Sequence, residues 1–472
     1  MLFPTAVFTM FFLVVLGVWW SLPACAPRAR GWVLLLANLA FYSWLDPRWA
    51  GALLVLSTGA WAGAHWIAQS NPEKRRTKGW ATVAGLLVAL VVLKYVPWAA
   101  GLQNSLAGQW GWAPWPLPEW AYPAGLSFFT FHALAIVVGV WHGRLEAPRW
   151  LPAAAHISFF PTLMAGPVLR GDAVAPRLAQ PFVWQDVAWG EGVARFLVGM
   201  TFKWVLATQA ASWADPVFQG VVDGRASTWW GIHAYSLQIF FDFAGYSLMA
   251  LGVALLLGFR LPENFTSPYT ATSLKGFWQR WHRSLSFFFR DHLYIDTFGG
   301  NARGPLVAGA AAAATMLASG LWHGASLMFL VWGAWHAAGL IVERMIPARD
   351  RWPAWLGWLV TFEFATWGWV WFRADTWDSA LALWAQAWGS EVVTTQAMVF
   401  TPLAWTWAIV MAGVVFTEPR WLPRVLDYSR RWDIHPLHWT EQTATLALVG
   451  VWAWGLMALG PEGVPNFIYN GF

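Results

Sequence analysis

Runs of apolar residues long enough to cross a lipid bilayer recur along this chain, and no other feature constrains its fold as strongly. They fall at about 4–20, 31–45, 49–68, 79–98, 122–142 and 187–210, then at 228–257, 304–319, 324–343, 354–372, 399–417 and 441–460. A spanning helix needs about 20 such residues, and in lipid a helix satisfies every backbone polar group within its own segment. The sequence therefore predicts an all-α polytopic membrane protein with about 10–12 transmembrane helices. Two runs are short and are expected to tilt or re-enter. The stretch 156–169 is apolar but broken by Pro161, Gly166 and Pro167. Such backbone survives at membrane depth only where protein buries it or it lines a wet cavity.

Composition agrees. Only 11% of the residues are charged, against roughly 25% in soluble domains. The 42 Trp suit a chain with many interfacial positions. A soluble enzyme, a disordered chain and a nucleic-acid-binding module are all excluded. Cys25 is the one cysteine, so no internal disulfide can form, and no basic stretch precedes it as lipoprotein processing would require. The first span is expected to remain in place. Orientation follows from Lys and Arg, which favour the cytoplasmic side. With the N-terminus outside, one face collects Arg28 and Arg30, then Lys74, Arg75, Arg76 and Lys78, then Arg144, Arg149, Arg170 and Arg177. It also collects the whole 259–303 loop, Arg344, Arg349 and Arg351, and Arg420 to Arg431, which together make up most of the 29 basic residues. The opposite loops are neutral or acidic, as at Asp215 and Asp223.

The loop at 259–303 is the least ordinary segment. From Ser273 to Leu293, Phe277, Trp278, Trp281, Leu285, Phe288 and Phe289 are interleaved with Lys275, Arg280, Arg283 and Arg290. That pattern predicts a helix lying in the cytoplasmic interface. His282 among the apolar residues, and Arg290-Asp291-His292 beside Tyr294, exceed what an anchor needs. A weaker amphipathic stretch, Trp377 to Trp388, lacks such a cluster and is expected to be an anchor.

Ionisable groups inside a membrane are costly, so each is a functional candidate. His323 stands at the join of two apolar runs, between Gly320 and Gly324. A lone buried His is most often structural, but flanking glycines allow the bend and close approach that a site needs. His336 could share its cavity. Asp242 lies amid Phe240, Phe241 and Phe243 and must be paired or face water, with Gln238 on the same helical face. Glu363, between Phe362 and Phe364, is a further buried acid without an obvious partner. No HExxH or close carboxylate spacing suggests a metal. Neither a nucleotide-binding glycine motif nor a nucleophile elbow is present. What remains is one or two His groups near a basic face. A neutral His accepts a proton from a hydroxyl attacking an activated acyl group, and a basic face attracts a phosphorylated, anionic donor.

A series of motifs carries a resemblance. They are Tyr122-Pro-Ala-Gly-Leu-Ser-Phe-Phe-Thr-Phe131, Phe159-Phe-Pro-Thr-Leu-Met-Ala-Gly-Pro167 and Leu237-Gln-Ile-Phe-Phe-Asp-Phe-Ala-Gly-Tyr246. They continue with Gly258-Phe-Arg-Leu-Pro-Glu-Asn-Phe265, Phe277-Trp-Gln-Arg-Trp-His-Arg-Ser-Leu-Ser286 and Arg290-Asp-His-Leu-Tyr-Ile295. Gly299-Gly-Asn301, Leu321-Trp-His-Gly324, Trp371-Phe-Arg-Ala374 and Phe467-Ile-Tyr469 complete them. In this order they resemble the membrane-bound O-acyltransferases, and within them the bacterial alginate O-acetyltransferase branch. Tyr294 to Asn301 departs from that branch, whose members often have Pro-Leu before the glycines.

The resemblance implies helices around a central tunnel, through which an acyl group on the cytoplasmic side reaches an outer acceptor. It implies His323 as catalytic histidine, acting as general base or orienting the acceptor, with His282 at a second polar position that would position or polarise the thioester carbonyl. Around them Trp322, Trp281, Asp242, Asp291 and His336 are candidate substrate-binding residues, and Arg280 and Arg283 candidate contacts for donor phosphates. It further implies acetyl-CoA as donor, no bound cofactor or metal, and residence in a bacterial inner membrane. A periplasmic polysaccharide acetyltransferase is the expected partner, with membrane lipid around the chain and no nucleic acid. One membrane-embedded domain over 1–472 is expected, with N-terminal spans to 120, a motif-bearing core over 121–345 and C-terminal spans over 346–472. A teichoic acid D-alanyl transferase or a peptidoglycan acyltransferase stays open within the family. From another class, a lipid or polysaccharide transporter would show an internal repeat, and none is visible.

Overall fold

The computed structural model describes residues 3, 5–44, 46–117, 123–346, 351–389 and 401–434, with positions 398, 450 and 452, and every regular element among them is a helix. The span expected over 441–460 and the Phe467–Tyr469 motif lie outside this description apart from two positions. Contacts divide the chain into two compact units, Met1–Val193 with Ala250–Pro262, and Ala194–Met249 with Glu263–Phe472.

The first unit is built from α1 (Ala6–Ser21), α2 (Pro27–Ser43), α3 (Pro47–Ala68), α4 (Pro72–Trp110), α5 (Leu126–Trp141) and α6 (Trp150–Ile157). Their starts are written in the sequence. Thr5 and Asp46 accept the backbone N–H groups of Phe8 and Arg48, and Pro27, Pro47 and Pro72 open the next three helices. Helix α4 runs well past the expected end at 98. A π-helical turn at Val91–Tyr95 absorbs the missing N–H of Pro97 and carries Lys94, whose Nζ is 3.1 Å from Ser127 Oγ.

Two of the expected cytoplasmic cations are not free charges. Arg30 is 1% exposed, and its guanidinium donates to the carbonyls of Trp19 at 2.8 Å and Leu22 at 2.9 Å, closing the end of α1. Arg75 Nη2 likewise donates to the Val140 carbonyl at 2.6 Å in the last turn of α5. A cation suits the carbonyl end of a helix, where the dipole is negative.

The broken stretch at 156–169 forms α6 and a short turn at Phe160–Leu163. Asn38 of α2 holds it in place. Asn38 Nδ2 donates to the Ala155 carbonyl at 3.1 Å and to Ser158 Oγ at 3.0 Å, while its Oδ1 accepts the Phe160 N–H at 2.9 Å. Asn38→Leu keeps the volume but strands the buried Phe160 N–H, which costs about 1–3 kcal/mol. The purified variant should melt several degrees below the wild type, and an unchanged melting temperature would remove Asn38 from this role.

From Trp189 the chain forms α7 (Trp189–Met200), which continues through a π-helical turn, Thr201–Ala207, into α8 (Thr208–Phe218), followed by α9 (Arg225–Leu256). After them come α10 (Leu274–Trp278), α11 (Arg283–Phe289), α12 (Pro305–His323), α13 (Leu327–Met345), α14 (Ala354–Arg373), α15 (Trp377–Trp388) and α16 (Pro402–Ile434). By length and composition, α4, α9 and α12 can each cross a membrane, and the apolar window of α9 is entirely buried within the protein. Gly199 and Gly245 let backbones touch: a Cβ on Gly199 would sit 2.5 Å from the Gly245 carbonyl oxygen. That approach brings Lys203, on the π turn, against Asp242 of α9 in a buried ion pair.

The expected interfacial helix over Ser273–Leu293 is not continuous. It breaks after Trp278 and resumes at Arg283, and Phe277, Trp281 and Leu285 are buried in protein. The α10 start is pinned from α13, where the Glu343 carboxylate accepts the N–H groups of Leu274 (2.8 Å) and Lys275 (3.1 Å). The break comes from Asn264, whose backbone and side-chain oxygens accept the N–H groups of Arg283 (2.9 Å) and Ser284 (3.3 Å). Where the sequence departs at Tyr294, the Tyr294 hydroxyl donates to Asn301 Oδ1 at 2.6 Å and accepts from Arg344 at 3.0 Å, closing the loop. Helix α15 is no plain anchor either. Its Trp384 packs on Trp335, Trp367 and Trp371.

Candidate active site

His323 ends α12 and is 4% exposed. The glycines around it act as expected. A Cβ on Gly333 would lie 2.6 Å from the Met316 carbonyl oxygen, so α12 and α13 meet backbone to backbone, and one on Gly324 would collide with the Phe329 ring. The imidazole faces Trp322 (5.0 Å between ring centroids), Trp332 (5.1 Å), Phe372 (5.2 Å) and, at 6.5 Å, His282.

His282 sits in the break between α10 and α11 with φ +41°, a left-handed conformation that side chains other than Gly rarely adopt. It is 1% exposed, edge-on to Phe243 at 4.7 Å and 5.8 Å from Trp322. Its Nδ1 is 3.1 Å from Asn264 Oδ1. Burial pushes this imidazole down to about 3, so it is neutral at physiological pH. The two histidines expected to work together are therefore brought together, with Trp322 beside both.

Other candidates are placed elsewhere. His336 is caged by other rings: Trp332 lies 5.1 Å from it and 5.1 Å from His323, and Trp278 at 4.9 Å and Phe364 at 5.7 Å enclose it further. Asp242 pairs with Lys203, and Asp291 pairs with Arg290 at 2.7 Å. Trp281 packs against Phe265 (5.1 Å) and Trp369 (4.8 Å) behind the site. Arg280 donates to Thr270 Oγ1 at 2.8 Å, while Arg283 and Arg290 both lie over the Phe287 ring. Glu363, expected to lack a partner, accepts from Trp367 Nε1 at 3.2 Å and lies 3.2 Å from His233 Nε2.

Sequence reasoning missed Asn264 and Lys203. Asn264 stands within the quoted Gly258–Phe265 segment, and an Asn fully buried among apolar neighbours has to bond backbone or side chains. Lys203 was hidden inside an apolar run, where a lone cation signals a buried counter-charge.

Paired buried imidazoles beside a basic loop suit proton transfer during acyl exchange. Residues 144–372, which hold both histidines, match the membrane-bound O-acyltransferase family, and the chain belongs to that family as an integral membrane acyltransferase. It is similar to the probable alginate O-acetylase of Pseudomonas aeruginosa, with 35% identity over 386 residues, 79% of this chain and 72% of that protein. The probable alginate O-acetylase of Azotobacter vinelandii is 35% identical over 393 residues, 82% of this chain and 77% of the relative. The peptidoglycan O-acetyltransferase of Helicobacter pylori is 30% identical over 389 residues, 74% of this chain and 72% of the relative.

Proposed function

We propose that this acyltransferase takes an acetyl group from acetyl-CoA on the cytoplasmic side and passes it across the bacterial inner membrane for O-acetylation of an exported polysaccharide such as alginate. The observation that carries the reading is the pair His282 and His323, buried with ring centroids 6.5 Å apart. A small reacting group between them is within reach of both. The attacking hydroxyl gives up its proton to an imidazole while its oxygen bonds to the thioester carbonyl carbon. The C–S bond then breaks, and the thiol leaves with that proton.

Arg280 and Arg283 on the basic loop attract the donor phosphates. A periplasmic polysaccharide acetyltransferase receives the acetyl group and completes the transfer, and the N-terminus faces the periplasm. Similarity to alginate O-acetylases supports the polysaccharide acceptor, and the weaker similarity to a peptidoglycan O-acetyltransferase supports a second acceptor. The test follows radiolabelled acetyl groups from acetyl-CoA loaded inside membrane vesicles. Label should reach exported polysaccharide only when the chain is present. Label on peptidoglycan would select the second acceptor, and no label on either would sink the donor assignment.

A further inference from the structure

Asn264 determines which nitrogen of His282 is bare. Its Oδ1 lies 2.8 Å from Ser284 Oγ, 3.3 Å from the Ser284 backbone nitrogen and 3.1 Å from His282 Nδ1, and its Nδ2 donates to Ser247 Oγ at 3.0 Å. A backbone N–H can only donate, so the amide atom facing Ser284 is the oxygen. That oxygen can only accept from His282 Nδ1, which therefore carries the proton. In a neutral imidazole the other nitrogen then has none. His282 Nε2 is buried without a hydrogen-bond partner, on a ring that neighbours Trp322 and His323. The left-handed backbone of His282 is a strained conformation, and the Asn264 carbonyl helps hold it by accepting the Arg283 N–H at 2.9 Å.

We propose that Asn264 is a positioning residue that locks His282 as the Nδ1–H tautomer, so that His282 receives the proton of the attacking hydroxyl instead of polarising the thioester carbonyl. The assignment rests on the acetyl-transfer reading above and divides its labour. Polarising a carbonyl needs an N–H aimed at its oxygen, and the one N–H of His282 is committed to Asn264. In the step itself, the acceptor oxygen bonds to the carbonyl carbon as its proton passes to Nε2. The C–S bond breaks, and the thiolate recovers that proton from the imidazolium, leaving an ester and a thiol. Throughout, the Nδ1–H stays on Asn264. An orienting group of this kind acts through the tautomer and direction of its histidine, and its loss is felt in turnover.

The experiment uses the full chain in lipid vesicles with acetyl-CoA and reads release of CoA thiol. His282→Gln can still offer an N–H but cannot take a proton, so turnover should fall about 10²-fold or more. His282→Gly should regain turnover with added imidazoles, and the gain should rise with the basicity of the imidazole. Asn264→Leu should lower kcat about 10²-fold with KM for acetyl-CoA little changed. Asn264→Asp keeps an acceptor for both N–H groups, so it should recover most of kcat, and its acid limb should move to higher pH because a carboxylate raises the basicity of its imidazole. Turnover by His282→Gln within about threefold of the wild type, or rescue that improves as the azole becomes more acidic, would overturn the assignment while leaving acetyl transfer standing. A wild-type protein that releases no CoA would instead overturn the acetyl-transfer reading. The His282 series decides the matter even where Asn264→Leu does not fold.

Discussion

A His323→Ala variant should lose about 10²–10³-fold of acetyl transfer while still inserting and folding, the scale of removing one group that orients the acceptor or stabilises charge beside His282. The ring of His323 packs on Trp322, Trp332 and Phe372, whereas α12 and α13 are joined through Gly320 and Gly333. Removing the imidazole leaves that backbone contact intact. The informative control is His336→Phe. This residue is as buried as His323, but Trp278, Trp332 and Phe364 cage it. A phenyl ring fills the same aromatic cage, so transfer should stay within a few-fold of the wild type. O-acetyl content of the product, normalised to protein recovered from membranes, reads both variants. Retained transfer in His323→Ala would remove that residue from the chemistry.

The largest effect on stability should come from Asp242→Asn. The Lys203–Asp242 pair is 1% and 5% exposed. Neutralising one partner of a buried pair leaves the other charge uncompensated, which costs about 3–5 kcal/mol. The variant should accumulate poorly in membranes and melt well below the wild type. Lys203→Met combined with Asp242→Leu should recover most of that loss, because apolar groups of similar volume often replace a buried pair at little cost. A double variant as unstable as the single one would show that the pair has a role beyond mutual compensation.

How far the sequence could be read depends on the range of the interaction. The expected spans begin at 31, 49 and 79, whereas the helices start at Pro27, Pro47 and Pro72, because hydropathy reports the apolar body of a helix and not the proline or capping side chain that opens it. The break in 156–169 was legible because its prolines and glycine are local. Its fastening by Asn38 was not, because Asn38 and Phe160 are 122 residues apart in the chain. The interfacial pattern at 273–293 misled because amphipathic spacing reports only that one face is apolar. It cannot say whether lipid or protein covers that face, and Asn264 and Glu343 reach in from outside the window to break and pin the helix. His323 and His336 look alike in sequence, and only the structure shows that His323 lies beside His282 while His336 is caged by Trp278, Trp332 and Phe364.

Arg30 and Arg75 carry a consequence for how the chain is made. In the proposed orientation, their charges are among those that keep the first cytoplasmic loops from being exported. Once inserted, the same guanidinium groups close the carbonyl ends of α1 and α5. Threading direction and native packing therefore draw on the same atoms. Replacing either arginine would weaken an orientation signal and open a helix end in a single step.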